Sequence, residues 1–219
     1  MTSVVVPIRG LGTSKSRLRG YVSPSQCQSL VAAMLNDVLS AISNADLGQV
    51  FVVSADPDVA LISTKYGANL VLEKKPTDYN EAVNNALKHL PGHEVLIVPA
   101  DLPALTSKDI AKLVPSTGQK RAVVHIAPDL NMTGTNAIFL PDFRGFEFQF
   151  GPGSFARHQR SARVCNLECQ TVSEFGLALD IDTPSDVSRL LSISAQSRTA
   201  HLLRSFGFTE TSFGEGIGA

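Results

Sequence analysis

The sequence predicts an α/β protein, a mostly parallel mixed sheet flanked by helices, and three observations lead there. Short apolar runs alternate with helical patterns at intervals of about 20 to 30 residues, the rhythm of βαβ units. The runs are continuous rather than alternating, as in Val4, Val5 and Val6, which suits strands covered on both faces. From Arg121 onward the rhythm changes to strand-like segments separated by Gly- and Pro-bearing loops, so this half is expected to add antiparallel strands.

Residues 4–7 read as the first strand. Ser23 then caps a helix whose first position is Pro24. Along that helix Cys27, Leu30, Val31, Met34, Leu35, Val38, Leu39 and Ile42 recur at helical spacing and mark the buried face. Strands follow at 50–53, 69–72 and 95–98, with helices at 57–66 and 80–90 between them. Thr106 caps a helix running to Val114. In the second half, 122–126, 137–140, 162–167 and 178–181 are strand-like, and a short helix is expected from the Gly-rich stretch at 150–154 to His158. Thr183, Pro184 and Asp186 open a closing helix.

With 219 residues, 43% apolar and 18% charged, the chain fits one domain able to bury roughly 70% of its unfolded surface. Residues 1–194 are expected to form that domain. Residues 195–219 form a Ser- and Gly-rich extension whose Leu202, Leu203, Phe206 and Phe208 pack on the domain or on a second subunit, as in a homodimer, or leave it mobile. The 19 basic residues balance the 20 acidic ones, which gives no general electrostatic case for nucleic acid or an anionic membrane. Any anion site must therefore be local. The first residues lack the basic-then-apolar pattern of a signal peptide, and no window approaches the ~18 apolar residues of a membrane span. Three cysteines without histidine or cysteine neighbours at zinc spacing read as buried reduced thiols, and the expected location is cytoplasmic.

Four stretches carry chemistry. Asp180 and Asp182 stand two apart, so an extended backbone projects both carboxylates to one side, where they repel unless a cation lies between them. Asp101 ends the apolar run at 95–98 and adds a third oxygen donor. Three acidic oxygen donors suit Mg²⁺, which shares its shell with substrate phosphates. After the first strand, Arg9, Gly10, Gly12, Lys15 and Arg17 form a glycine-bearing basic loop, read as a phosphate cradle or a plain surface turn. It matches neither a Walker A loop nor a dinucleotide fingerprint. Gly151, Gly153 and Ser154 offer small residues and amides at a helix start, and 133–136 supplies hydroxyls and an amide. For Arg157, His158 and Arg160 an exposed helix face is the default expectation.

Pro-Ala-Asp-Leu-Pro at 99–103, Thr-Gly-Thr-Asn at 133–136, Phe-Gly-Pro-Gly-Ser at 150–154 and Leu-Ala-Leu-Asp-Ile-Asp-Thr-Pro at 177–184 together resemble the guanylyltransferases of coenzyme F-420 biosynthesis. That family takes in 2-phospho-L-lactate and phosphoenolpyruvate guanylyltransferases. The resemblance covers 4 to about 193 and implies a nucleotidyltransferase fold of the glycosyltransferase-A, Rossmann-like type. It implies transfer of GMP from GTP to the phosphate of a small phosphorylated acid (phosphoenolpyruvate, 2-phospho-L-lactate or 3-phosphoglycerate). Pyrophosphate is released, and a downstream transferase takes the product. By position, Asp101, Asp180 and Asp182 match the metal-binding aspartates. Lys15 and Arg17 match the basic loop at the triphosphate, and Arg9, Gly10, Asn80 and Ala82 match the nucleotide pocket. Thr135, Gly151 and Ser154 match the acceptor-phosphate site. The chain departs from the pattern at Arg9, where lysine is more usual, at Tyr79, where leucine is common, and at Met132, often glycine. Two alternatives stand beside this reading: a molybdenum-cofactor nucleotidyltransferase of the same fold, against which the opening Ile-Arg-Gly-Leu-Gly at 8–12 counts, and a nucleotide-binding module without catalysis.

Overall fold

The computed structural model describes residues 1–12, 15–115, 123–193 and 196–212. Its elements are β1 (Ser3–Pro7), α1 (Pro24–Ser43), β2 (Val50–Ser54), α2 (Val59–Lys65), β3 (Asn69–Leu72), α3 (Tyr79–Leu87), β4 (Val95–Ile97), α4 (Ser107–Leu113), β5 (Val123–Pro128), β6 (Thr135–Leu140), α5 (Ser154–Val164), β7 (Glu168–Thr171), α6 (Phe175–Ala178), α7 (Pro184–Ser192) and α8 (Arg198–Ser205). Thr13 and Ser14 of the basic loop, the expected strand start at Ala122, Ser194 at the expected domain end, and Ala195 and 213–219 of the extension lie outside the described residues.

One seven-stranded sheet has the order β3-β2-β1-β4-β6-β5-β7. β1 pairs in parallel with both β2 and β4, and β5 with β7, while β6 runs antiparallel between β4 and β5. The sheet is therefore mostly parallel with one reversed strand. Along β1 the pleat sends Val4 and Val6 into a core shared with α1 and Val5 into a second core shared with α3. β1 is thus buried on both faces, which is why its sequence is an unbroken apolar run.

The helix signals act through identifiable caps. Ser23 and Gln26 exchange side-chain and backbone bonds at the head of α1. All eight residues expected on its inner face are buried. Thr106 with Asp109, and Thr183 with Asp186, form the same reciprocal cap on α4 and α7.

Two expected strands are not strands. Residues 162–167 begin inside α5, whose Phe155, His158 and Ala162 are buried at helical spacing, and the edge strand β7 starts only at Glu168. The helix ends where Asn166 takes the left-handed conformation, φ 54°. Residues 178–181 include the end of the one-turn α6 and then a segment without a ladder. The Asn136 amide donates to the carbonyls of Leu177 and Ala178, both at 3.0 Å, in place of a neighbouring strand. Leu179 and Ile181 are nonetheless buried while Asp180 and Asp182 are half-exposed, so the alternation that puts the two carboxylates together holds. Only Cys27 is a buried thiol; Cys165 is half-buried and Cys169 exposed, because β7 is an outer strand.

α8 lies along α1. The Asp37 carboxylate accepts from the amides of Arg198 and Thr199, both at 2.9 Å, and from the Thr199 hydroxyl at 2.6 Å. Ala200 and Leu203 are buried, and Phe206 and Phe208 pack against the same core.

Candidate active site

The sheet order reverses at β1, flanked by β2 and β4, so a crevice opens beyond the carboxyl ends of β1 and β4. Ile8 and Arg9, leaving β1, and Pro99 to Asp101, leaving β4, line a cavity of about 400 Å³ there. The basic loop crosses it. Gly10 has φ 137°, and a β-carbon at that position would meet Asp56 Oδ2 at 3.0 Å. The same oxygen accepts from Leu11 N at 2.8 Å, so a carboxylate after β2 holds the loop down. Arg9 and Arg17 are exposed cations on the cavity wall.

Lys15 stands in the left-handed conformation, φ 64°, at the head of a single 3-10 turn, Ser16–Leu18. Such a backbone costs a non-glycine residue about 1–2 kcal/mol and persists only when the surroundings impose it. Here the side chain imposes it: Nζ lies 2.5 Å from Asp101 Oδ2 and 2.6 Å from Asp182 Oδ1. Burial works to lower the lysine pKa, but the charges and hydrogen bonds of the two carboxylates outweigh it and hold the ammonium above the usual lysine range. Ile181 N donates to Asp101 O at 3.1 Å, which brings the 179–182 segment across the exit of β4.

Asp180 completes the acidic group and is where its charge balance fails. Burial first, then the charges of Asp101 and Asp182, push its carboxyl up to about 6, and its contact from the Asn136 amide is long at 3.4 Å. Three carboxylates share one ammonium. An oxygen-only donor set with surplus negative charge fits a hard divalent cation. Among the described residues, however, no three His, Cys, Asp or Glu side chains already stand in metal-ligating geometry. The ion pairs of Lys15 with Asp101 and Asp182 hold two of the three carboxylates.

A second cavity, about 610 Å³, adjoins the first, and Arg17 and Asp182 line both. Its far wall carries Thr135, Gly151 and Ser154. Gly151 has φ 114°, a conformation open to glycine. Two of the amides at the head of α5 are in use: Ser154 N donates to Gly151 O at 2.9 Å and Phe155 N to Thr133 O at 3.1 Å. This wall offers an anion the Thr135 and Ser154 hydroxyls, in a cavity also lined by Arg17 and Arg189.

The remaining expected residues divide. Asn80 does not line either cavity; it clasps Phe150, accepting from its amide at 2.7 Å and donating to its carbonyl at 3.2 Å, and so ties α3 to the Gly-rich loop. Ala82 is buried in the core beneath α3. Tyr79, the neighbour of Asn80, lines the first cavity instead, and its hydroxyl is buried without a hydrogen-bond partner among the described residues. Met132 has φ 57°, which explains why glycine suits that position, and its half-exposed side chain lines neither cavity. Arg157 is no free surface cation: it donates to Pro152 O at 2.6 Å and Gln149 O at 2.9 Å, bracing the loop before α5. His158 is fully buried, contrary to the exposed face expected for it, because the helix turns it inward with Phe155 and Ala162. No local pattern marks Asp56, Asn80 or His158, whose partners lie 45, 70 and 23 residues away.

Among the described residues no helix is long and apolar enough to cross a membrane. Residues 2–216 match the family described as guanylyl transferase CofC like. The chain is 38% identical over 194 residues to a phosphoenolpyruvate guanylyltransferase of Sphaerobacter thermophilus, covering 86% of this chain and 92% of the relative. It is 31% identical to a 3-phospho-D-glycerate guanylyltransferase of Phenylobacterium zucineum, with 93% and 95% covered. It is also 30% identical to a 2-phospho-L-lactate guanylyltransferase of Methanothermobacter thermautotrophicus, with 95% and 92% covered. In fold it is similar to a nucleotidyl transferase from the same species, with a TM-score of 0.65 at 16% identity over 94% of this chain and 99% of that one.

Proposed function

We propose, from the premise that this chain belongs to the CofC-like guanylyl transferase family, that it moves GMP from GTP to the phosphate of a small phosphorylated carboxylic acid. The observation that carries this reading is the pair of adjoining cavities that share Arg17 and Asp182. The first is lined by Arg9, Lys15 and Arg17 with Asp101 and Asp182; the second sets the Thr135 and Ser154 hydroxyls among Arg17, Arg189 and the carboxylates of Asp129, Asp180, Asp182 and Asp186, so cations line both places where a phosphate would lie.

An oxygen of the acceptor phosphate attacks the α-phosphorus of GTP, the bond from that phosphorus to the β-phosphate oxygen breaks, and pyrophosphate leaves opposite. A phosphate monoester has its second pKa at about 6, so near neutrality the nucleophile is already ionised and no general base is required. The work left to the protein is positioning and charge. Lys15 exchanges its two carboxylate partners for the triphosphate and takes up charge growing on the leaving pyrophosphate. Arg17, on the shared wall, faces both phosphates, Arg9 meets the nucleotide across its loop, and Gly10 lets that loop approach. Asn80 acts on the acceptor side through Phe150, while Ala82 seats α3 beneath the nucleotide pocket. Thr135 and Ser154 hold the acceptor phosphate, and Gly151 keeps the approach open. Asp101, Asp180 and Asp182 are the residues that would hold Mg²⁺, which when bound offsets the repulsion between the reactants and polarises the α-phosphate. The product is a mixed anhydride, consumed by a downstream transferase in coenzyme F-420 biosynthesis in the cytoplasm.

Phosphorus NMR of the protein incubated with GTP, Mg²⁺ and each of phosphoenolpyruvate, 2-phospho-L-lactate and 3-phosphoglycerate tests this. A new anhydride doublet with one of them is the expected result. No doublet with any of the three would refute the reading.

A further inference from the structure

One hydroxyl of the second cavity, that of Thr135, is set by a histidine that lines neither cavity. His158 Nε2 lies 2.9 Å from Gln149 N. A backbone N–H only donates, so Nε2 is the acceptor and carries no proton. Burial, and then the charge of Arg157, hold the imidazole pKa down at about 4, so the ring is neutral near pH 7. Its one proton is therefore on Nδ1, which lies 2.9 Å from Thr135 Oγ1 and donates to it. One bond further, Thr135 N donates to Ser154 Oγ at 2.8 Å. Both hydroxyl oxygens thus accept from the protein and keep their own hydrogens to give away.

We infer that His158 is a positioning residue that commits the Thr135 hydroxyl to donating, so that this pocket selects a fully ionised oxyanion over a ligand presenting a donor there. The inference rests on the reading of this cavity as the acceptor site. A free threonine hydroxyl donates or accepts with equal ease. Here the bonds run in one sense, from the Gln149 amide through the ring to the hydroxyl and out to the ligand, and each polarises the next. The amides of Ser154 and Phe155 are spent on Gly151 and Thr133, so these hydroxyls are donors on that wall beside the cations Arg17 and Arg189 of the same cavity.

Nitrogen-15 NMR of the wild-type imidazoles tests the geometry without acid or nucleotide. The result expected is a proton on Nδ1 of His158 and none on Nε2; a proton on Nε2 overturns the inference. Kinetics of H158Q, T135V and the double variant test the consequence. H158Q should raise the KM for the acid about tenfold and leave the KM for GTP unchanged. In the T135V background it should add little further, and fully additive penalties would contradict the coupling. H158N, whose amide N–H replaces Nδ1 more closely, should recover most of the acid affinity. Equal losses in H158N and H158Q would reduce His158 to packing. If H158Q does not fold, the wild-type tautomer still decides. Failure of the wild type to use any acid would sink the reaction proposed above and not the tautomer. Calorimetric titration of wild type and H158Q with inorganic phosphate then replaces the KM comparison, with a tenfold weaker Kd expected and an equal Kd overturning the inference.

Discussion

The two halves of this cleft solve the anion problem in opposite ways. On the β1 and β4 side the site is charged: a buried ammonium bridges Asp101 and Asp182, with Asp180 left over. On the β6 and α5 side the geometry is set by hydrogen bonds between neutral groups, His158 to Thr135 and Thr135 to Ser154, in which both hydroxyl oxygens accept from the protein. In the proposed reaction the first half exchanges partners when a triphosphate arrives. In that reaction the second keeps the hydrogen bonds it already has. A protein that joins two phosphates needs a strong but exchangeable field at one and a fixed geometry at the other.

The comparison breaks most visibly at the charged half. Asp101→Asn should cut pyrophosphate release about a thousandfold with the fold intact by circular dichroism, as loss of an electrostatic contact to the reacting group does. A variant within tenfold of wild type would remove Asp101 from the chemistry. Lys15→Ala and Asp180→Asn should both abolish transfer yet shift Tm in opposite directions. The lysine change leaves two carboxylates without their counterion, so Tm falls. The asparagine change removes a half-buried anion that its neighbours repel, so Tm rises, by ~2–6 °C. Shifts of the same sign, read by calorimetry without nucleotide, would show that Asp180 is not the uncompensated group.

In the neutral half the titration of His158 gives a sharper measure. Its folded pKa of about 4 is below the ordinary 6.5, so the unfolded chain takes up the proton first. The contribution of His158 to stability is full above about pH 6.5 and is lost as pH falls towards 4, by about 3 kcal/mol in all. Denaturant midpoints for H158Q should be flatter across that window. A slope equal to wild type would assign the acid sensitivity to another group. The smallest effect is expected at the rim. Met132→Gly relieves a left-handed backbone and touches neither cavity, so it should raise stability by about 1 kcal/mol or less and leave the KM for the acid unchanged.

Which parts of this were readable in advance follows from how far each signal reaches along the chain. The parallel half was legible because a strand buried on both faces must be an unbroken apolar run, as at Val4, Val5 and Val6, and because Ser23, Thr106 and Thr183 cap their helices through residues three positions on. The i and i+2 aspartates were legible for the same reason: alternation of Asp180 and Asp182 with buried Leu179 and Ile181 is local. Residues 162–167 misled because Ala162 belongs to a helix face whose other members, Phe155 and His158, lie upstream among polar residues. The clamps were invisible. Asp56 on the basic loop, Asn80 on Phe150 and His158 on Thr135 act on partners that only the sheet order brings near.

Direct displacement at the α-phosphorus by the acid leaves no group of the protein holding GMP in between. Exchange of labelled pyrophosphate into GTP tests that most directly. With Mg²⁺ and GTP but no acid, direct displacement predicts no exchange above background, and exchange only once the acid is added. Label entering GTP without any acid would mean that a side chain takes the nucleotide first, which contradicts it.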